Sequence, residues 1–160
     1  MSAVSGPAVS GRGVRLADVS GLHKTVVRGA PPTVAFGLVE RRADGGLALG
    51  YGYDEVLLLT QGAPSSDDGV DLTHGLTALR LSGPLATELL SRVCALDLSD
   101  PLTPDATLRR CPLAGLAVVL VRDDVRSERS YLLLVDRSYG QALYDVLLDA
   151  GAEFGWTPSR

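Results

Sequence analysis

The chain has 160 residues and a formal net charge of −4, with 46% hydrophobic and 21% charged residues. Its length suits one domain that buries a core without disulfides or metals, and its composition is that of a globular protein. The sequence has no run of five basic residues, and no apolar run reaches the ~18 residues that span a bilayer. We therefore expect no nucleic acid and no membrane as partner.

The chain ends and the two cysteines give expectations about the compartment. Residues 1–13 are small and polar, which predicts a disordered tail rather than a signal peptide, and residues 156–160 are expected to form a second tail. Cys94 and Cys111 stand among apolar residues, which favours buried, reduced thiols in a cytoplasmic protein. A disulfide between them stays open as an alternative.

The first half of the chain reads as short strands joined by turns. The sequence "ADGG" at 43–46 predicts a tight hairpin turn, because Asp-Gly and Gly-Gly tolerate positive φ. The glycine- and serine-rich stretch Gln61–Gly69 predicts a seam within one domain that covers residues 14–155. The predicted strands are Val14–Val19, Lys24–Val27, Val34–Val39 and Glu55–Thr60, the last of which contains a continuous apolar run.

The segment "LRLSGPLATELLSRV" joins a strand to a helix through a Gly-Pro corner. Leu76–Ser82 alternates as a strand, with Thr77, Leu79 and Leu81 on one face and Arg80 on the other. Pro84 suits the first helical position, with Ser82 or Gly83 as the cap. The helix then presents one apolar stripe, formed by Leu85, Ala86, Leu89, Leu90 and Val93.

A strand pair and a second helix complete the predicted fold. The strands are Leu116–Val121 and Tyr131–Val135. Ser138 and Gln141 have the spacing of a capping box, and Gly151 is expected to end the helix. The inner face of this helix is Leu143, Val146, Leu147 and Ala150. The order of elements predicts an α+β fold, a mostly antiparallel sheet with helices on one face.

Residue patterns that could carry chemistry are weak. The Gly-Pro corner has one glycine, and its proline lacks the N–H that a phosphate would need, so it is expected to turn the chain. His23 and His74 have no second ligand at helical spacing, which argues against zinc. A solvated loop explains Asp67, Asp68 and Asp71, and a bend explains "GYGYDE" at 50–55. Composition leaves a Ser-His-Asp or Cys-His triad open, but no nucleophile stands in an activating context. We predict no catalytic, cofactor-binding or metal-binding residue.

Longer stretches carry a family resemblance. The stretch Val70–Asp100 resembles the folate-binding family of the glycine-cleavage T protein, in which an Asp-Leu-Ser-His stretch leads into a strand, a Gly-Pro corner and a helix. The gamma-subunit family of heterotetrameric sarcosine oxidase is a closer likeness. It is carried by "CALDL" (94–98), "PLTPDATLRR" (101–110) and Leu132–Gly155. Gly52, Asp54 and Glu55 are similar to that subunit's Gly-Pro-Asp-Glu-Trp pattern, whereas Tyr53 and Val56 replace its proline and tryptophan.

The resemblance implies a T-protein-like fold without the chemistry. The T protein has a second half and a catalytic aspartate on the strand that here is Gly115–Val121, which carries no acid. The link between Thr60 and Val70 is shorter than in gamma subunits. By resemblance the chain is a non-catalytic gamma-like subunit that binds no cofactor, with alpha, beta and delta subunits as partners. FAD, FMN, NAD, tetrahydrofolate and zinc would belong to those partners. The alternatives are a stand-alone folate-binding or aminomethyl-transferring protein and a free-standing scaffold.

Overall fold

Two antiparallel sheets and two α-helices make up the structure, a computed structural model that describes residues 4–29, 34–63 and 68–159. The helices are α1 (Ala86–Ser91) and α2 (Gly140–Ala150), and neither is long and apolar enough to cross a membrane. The strands are β1 (Val9–Gly11), β2 (Val14–Asp18), β3 (His23–Arg28), β4 (Val39–Arg41), β5 (Leu47–Gly50), β6 (Glu55–Thr60), β7 (Val70–Asp71), β8 (Leu76–Ser82), β9 (Thr107–Leu113), β10 (Leu116–Arg122), β11 (Ser130–Asp136) and β12 (Thr157–Pro158).

The larger sheet lies between the helices and the smaller sheet. Its seven strands run in the order β12-β1-β2-β8-β11-β10-β9, and the smaller sheet runs β4-β5-β6-β3-β7. On β11, Leu133 and Val135 pack into the core beneath the helices, whereas Leu132 and Leu134 pack into the core between the sheets. Burial on both faces explains why this strand is a continuous apolar run. The predicted α+β class, with helices on one face of an antiparallel sheet, is confirmed.

Several elements fall where the sequence predicts them. β6 and β8 have the predicted bounds, and β10 pairs antiparallel with β11. The hairpin turn at 43–46 is confirmed: Gly45 has φ 82°, and the Gly46 N–H donates to the Asp44 carboxylate at 2.9 Å. Leu79 and Leu81 face the helices, whereas Ala78 faces the second sheet, as the alternation indicates. Residues 64–67 of the predicted seam lie outside the described residues.

The predicted strand Val34–Val39 is wrong over most of its length. The strand begins at Val39 because the chain turns at Gly37, whose φ is 81°. The N–H of Gly37 donates to the carbonyl of Gly50 at 2.9 Å, and its own carbonyl accepts from the N–H of Leu108 at 2.8 Å. This short stretch thereby connects the edges of the two sheets.

Both predicted tails contain strands. β1 pairs with β12 through Val9↔Pro158, and the Ser159 N–H donates to the carbonyl of Ala8 at 2.7 Å. β1 also pairs with β2, so the two chain ends extend the larger sheet. The tail prediction is therefore wrong for residues 9–11 and 157–158. The cause is a pairing across almost the whole chain length, which a local pattern does not reveal.

The helix starts differ from the predicted caps. α1 begins two residues after Pro84, and its N-cap position is Leu85, which makes no side-chain cap. A 3-10 helix (Arg137–Tyr139) precedes α2, and the Asp136 side chain caps it by accepting from the N–H of Ser138. The predicted caps at Ser82, Gly83 and Ser138 are therefore wrong. Gly151 does end α2, as predicted; a Cβ there would lie 2.4 Å from Trp156.

The corner Gly83–Pro84 is held by backbone contacts. Gly83 has φ 116°, and a Cβ there would lie 2.4 Å from the carbonyl oxygen of Gly13. Its N–H donates to the carbonyl of Arg129, and the next available N–H, on Leu85, donates to Gly13, both at 2.9 Å. The N–H groups that a phosphate would need are thus already bonded, and the corner turns the chain.

Two substitutions test this view of the corner. Gly83→Ala should lower the free energy of unfolding by at least about 2 kcal/mol, because φ is positive and the new Cβ meets backbone. The exposed neighbour is the matched control, since Pro84→Ala should cost only about 0.5–1 kcal/mol. Urea denaturation of both variants is the measurement. Equal, small losses would show that the close approach at Gly83 is not a constraint.

Candidate functional site

A network of ion pairs lies at one end of the two sheets. Its side chains come from the end of β10 and the turn that follows it, from the segment before β9, and from strands β4 and β8. Its members are Arg41, Arg80, Arg122 and Arg129 with Asp100, Asp105, Asp123 and Asp124. Four positive and four negative charges balance, so the network is neutral as a whole.

Asp123 is the centre of this network and is 5% exposed. One carboxylate oxygen accepts from Nε of Arg41 at 2.9 Å, and the other accepts from both terminal nitrogens of Arg80 at 3.1 Å. Arg41 belongs to β4 of the smaller sheet, whereas Arg80 belongs to β8 of the larger one. A single buried carboxylate therefore joins the two sheets.

Arg122 anchors the loop before β9 to the helix side of the larger sheet. Its buried guanidinium donates to Asp124 at 2.8 Å, to Asp100 at 2.6 Å and to the carbonyl of Thr103 at 2.7 Å. These bonds, that to Asp124 above all, raise the pKa of Arg122 against the opposing effect of burial. Asp100 also accepts from Arg129 at 2.8 Å. The network thus stabilises the structure on both faces of β10: Asp123 joins the two sheets, and Arg122 holds the segment before β9.

A cleft of about 440 Å³ lies beside Asp123. One wall is apolar (Val19, Leu22, Leu47 and Leu59), and the other holds Arg41, Arg80 and Asp123. Both oxygens of Asp123 accept from guanidinium groups, and Asp124, which also lines the cleft, is paired with Arg122. Both carboxylates of the cleft are therefore engaged in structural ion pairs.

β10 itself does not fit the folate chemistry of the T protein. The resemblance to the T protein implies a catalytic carboxylate on this strand, but Val118 packs beneath the helices and Val119 and Val121 pack against the second sheet. A charged side chain in either core would be buried without a partner. We therefore derive no folate-dependent step from these residues.

The residues considered for metal binding lie apart from this network. His23 begins β3, and His74 lies in the turn before β8, where its carbonyl accepts from Arg137. Hydrogen bonds from the side chain and backbone of Thr73 lower the pKa of Asp71, and Asp67 lies outside the described residues. In residues 4–29, 34–63 and 68–159 no three His, Cys, Asp or Glu side chains gather as metal ligands.

The stretch 50–55 forms the predicted bend. The N–H groups of Tyr51 and Gly52 both donate to the carbonyl of Glu55 at 3.0 Å. The Glu55 carboxylate pairs with Arg28 at 2.6 Å. The N–H groups of Tyr51 and Gly52 are therefore used to close the bend.

The two cysteines lie side by side as free thiols. Their sulfur atoms are 3.7 Å apart, with Cys94 buried and Cys111 partly exposed. Burial, and then the neighbouring Cys94, raises the pKa of Cys111 to about 12. A thiol with that pKa is protonated at neutral pH and is a poor nucleophile. Cys94 is buried, as the sequence predicts, whereas Cys111 is only half-buried.

Lys24 is a buried charge that the sequence analysis missed. The side chain is fully buried, and its Nζ donates to the carbonyls of Ser20 at 2.7 Å, Leu22 at 2.9 Å and Thr73 at 3.3 Å. Burial lowers its pKa, while Asp18 and Asp71 oppose that effect. Three carbonyls match the three N–H donors of an ammonium group, so Lys24 fastens two turns together. Lys24 begins the predicted strand Lys24–Val27, and no local pattern there indicates that its side chain is buried.

Removal of the Asp123 charge tests the structural role of the network. Asp123→Asn should lower the free energy of unfolding by about 2 kcal/mol, because the buried carboxylate that accepts from Arg80 and from the more exposed Arg41 loses its charge. Asp149→Asn, on the exposed face of α2, is the matched control and should change it by less than about 0.5 kcal/mol. Chemical denaturation measures both. A loss below about 1 kcal/mol for Asp123→Asn would contradict this role.

The same network predicts how stability depends on pH. Burial raises the pKa of Asp105, but hydrogen bonds from Arg41 and from the N–H of Asp124 outweigh it, so the net shift is downward. The folded carboxyl thus binds protons less readily than the unfolded one, whose pKa is about 3.9. Its contribution is complete above that pH and is lost as the pH falls through the folded pKa. Asp105→Asn should therefore flatten the loss of thermal stability below about pH 4; an unchanged slope would contradict the pairing.

A family model and two curated proteins are similar to this chain. The model of the GCVT N-terminal domain matches residues 54–159. The chain is 30% identical over 89 residues to sarcosine oxidase subunit alpha of Rhizobium meliloti, with 54% of this chain and 9% of that protein covered. It is 32% identical over 94 residues to an aminomethyltransferase of Chlorobium phaeovibrioides, with 57% and 26% covered. The chain thus corresponds to only a small part of either curated relative.

Solved structures share the fold over nearly the whole chain. A chain of the heterotetrameric sarcosine oxidase from Corynebacterium sp. U-96, solved with pyrrole 2-carboxylate, superimposes with a TM-score of 0.76 at 24% identity, covering 98% of this chain and 91% of that one. Aminomethyltransferase T of the glycine cleavage system from Bartonella henselae gives a TM-score of 0.64 at 16% identity, covering 86% and 46%. With the family model spanning two thirds of its length, the chain belongs to the GCVT N-terminal domain family.

Proposed function

We propose that the chain is a non-catalytic, gamma-like subunit of a heterotetrameric flavin-dependent oxidase. Its complex would act on sarcosine or another secondary or N-methyl amine, and the chain would support assembly of the alpha, beta and delta subunits. One observation carries the proposal: the matched chain of the Corynebacterium heterotetramer is nearly the same length as this one, and the two superimpose over 98% and 91% of their lengths. The likeness is to a whole small chain of that assembly.

The site geometry supports an accessory role. Of the two acidic side chains that follow β10, Asp123 is buried between Arg41 and Arg80, and Asp124 is paired with Arg122. Val118, Val119 and Val121 of the strand itself are apolar and buried. Amine chemistry that depends on a free carboxylate at this strand would therefore lack its base. In the proposal, that chemistry belongs to other chains.

The cofactors of the complex are assigned to the partners. FAD, FMN, NAD, tetrahydrofolate and zinc would be held by the alpha, beta and delta subunits, and this chain would hold none. The complex would act in the cytoplasm, where reduced thiols such as the free pair Cys94 and Cys111 persist.

A second candidate is a stand-alone folate-binding or aminomethyl-transferring protein. The 32% identity to an aminomethyltransferase favours it, as does an open cleft of about 350 Å³ beside the β9–β10 hairpin. This candidate requires tetrahydrofolate to bind the purified chain. Calorimetry separates the two, since micromolar affinity for tetrahydrofolate would favour this candidate over the subunit.

Co-expression tests the subunit proposal. The tagged chain should co-purify with alpha-, beta- and delta-like chains encoded beside it, and the complex should carry flavin absorbance that the chain alone lacks. Expressed alone, the chain should be poorly soluble or self-associated, because surfaces that partners cover would be exposed. The matched control is the same tag on an unrelated protein of similar size and charge. A soluble monomer that leaves those chains in the flow-through would contradict the proposal.

A further inference from the structure

The outer edge of β9 is open between two bridges. Leu38↔Thr107 closes one end of this edge, and Cys94↔Leu113 closes the other. The N–H of Leu108 points away from β10, because it donates to Gly37. Peptide groups alternate along a strand, so the N–H and carbonyl of Arg110 point outward as well. Within the described part of the chain, neither has a backbone partner.

Exposed apolar side chains flank this open edge. Phe36 and Leu38, on either side of Gly37, are 56% and 50% exposed. Leu102 is 58% exposed, and its carbonyl accepts from Arg109 at 3.1 Å. Tyr53 is 93% exposed and lies two residues from Tyr51, which contacts Arg110. Exposed aromatic and aliphatic groups gathered at one place are typical of an interaction surface.

Two arginines of β9 lack carboxylate partners. Arg109 donates to the carbonyls of Leu108 and Leu102, and Arg110 donates to the carbonyl of Tyr51 and stacks on its ring at 4.4 Å. Neither forms a salt bridge with the described residues, whereas the arginines of the network are all paired with aspartates. Two uncompensated guanidinium groups on a surface attract carboxylates.

We propose that this edge of β9 binds an extended, acidic segment of a partner subunit, which adds one short strand to the larger sheet. Strand addition satisfies the free peptide group of Arg110, and side chains of the segment alternate between the Leu38–Leu102 side and the Tyr51–Tyr53 side. The two bridges and Pro112, which has no N–H, limit the added strand to about three residues at ~3.3 Å each. Acidic residues of the segment pair with Arg109 and Arg110. This inference rests on the proposed function.

Two variants and two matched controls test the surface in the co-expressed complex. Arg110→Glu and Leu102→Asp should each weaken the pull-down of the partner chains by at least about tenfold, because central arginine and apolar contacts dominate such interfaces. Arg15→Glu, on an exposed part of β2, and Val70→Asp, 59% exposed on β7, should leave it unchanged. Thermal midpoints of all four chains alone verify that each is folded.

Hydrogen exchange of the wild-type complex is the second readout. The amide of Arg110 should become protected on assembly, and this result needs no substitution. If the wild-type chain does not co-purify, the proposed function and this inference fail together. If it assembles while Arg110→Glu assembles equally well and the Arg110 amide stays unprotected, the inference is overturned and the proposed function stands. Protection of Arg110 by self-association of the chain alone would also overturn it.

Discussion

The carboxylate of Asp123 between Arg41 and Arg80 is the interaction on which the arrangement of the sheets depends. The apolar core between the sheets stabilises their contact but is not directional, whereas guanidinium–carboxylate pairs fix relative position. A buried carboxylate with one partner missing is costly, so all three side chains must be present together. At the edge, the Leu38↔Thr107 bridge connects the same two sheets through backbone. Side-chain ion pairs and backbone bonds thus hold the sheets in one register.

In the proposed function the chain keeps the family fold but not its chemistry, and the use of charged side chains in ion pairs supports that role. Arg122 and Asp123, on opposite faces of β10, both form ion pairs that hold neighbouring segments together. The strand lies between two apolar cores, and a carboxylate on it would be buried without a partner. The same chain leaves its surface arginines on β9 without acids.

Local patterns predicted the elements whose signals are local. β6 and β8 were predicted with their bounds because the apolar run and the alternation end where the strands end. The hairpin at 43–46 followed from glycine conformational freedom. β9 was not predicted from its residues, since "TLRRCPL" alternates polar and apolar weakly and follows Ala106, a non-glycine residue with φ 61°. The β1–β12 pair depends on residues almost 150 positions apart, and no window contains both.

The candidate site was harder to predict from the sequence than the fold was. The sequence indicated that β10 carries no acid, but it did not reveal that Arg41 and Arg80 meet at Asp123, because the three come from different strands and loops. Ser138 has the spacing of a cap, yet its own N–H and hydroxyl both donate to Asp136, which caps the 3-10 helix in its place. Short polar side chains near a helix start are close alternatives, and only the packed structure selects between them.

Native mass spectrometry of the tagged chain, purified from its own host, tests the central claim most directly. We expect one assembly that contains a single copy of this 16.8 kDa chain, one copy each of three chains of different mass, and bound flavin. Collision-induced dissociation should release the chain without any small molecule attached. A dominant species of 16.8 kDa, or a homo-oligomer that carries a folate, would contradict it.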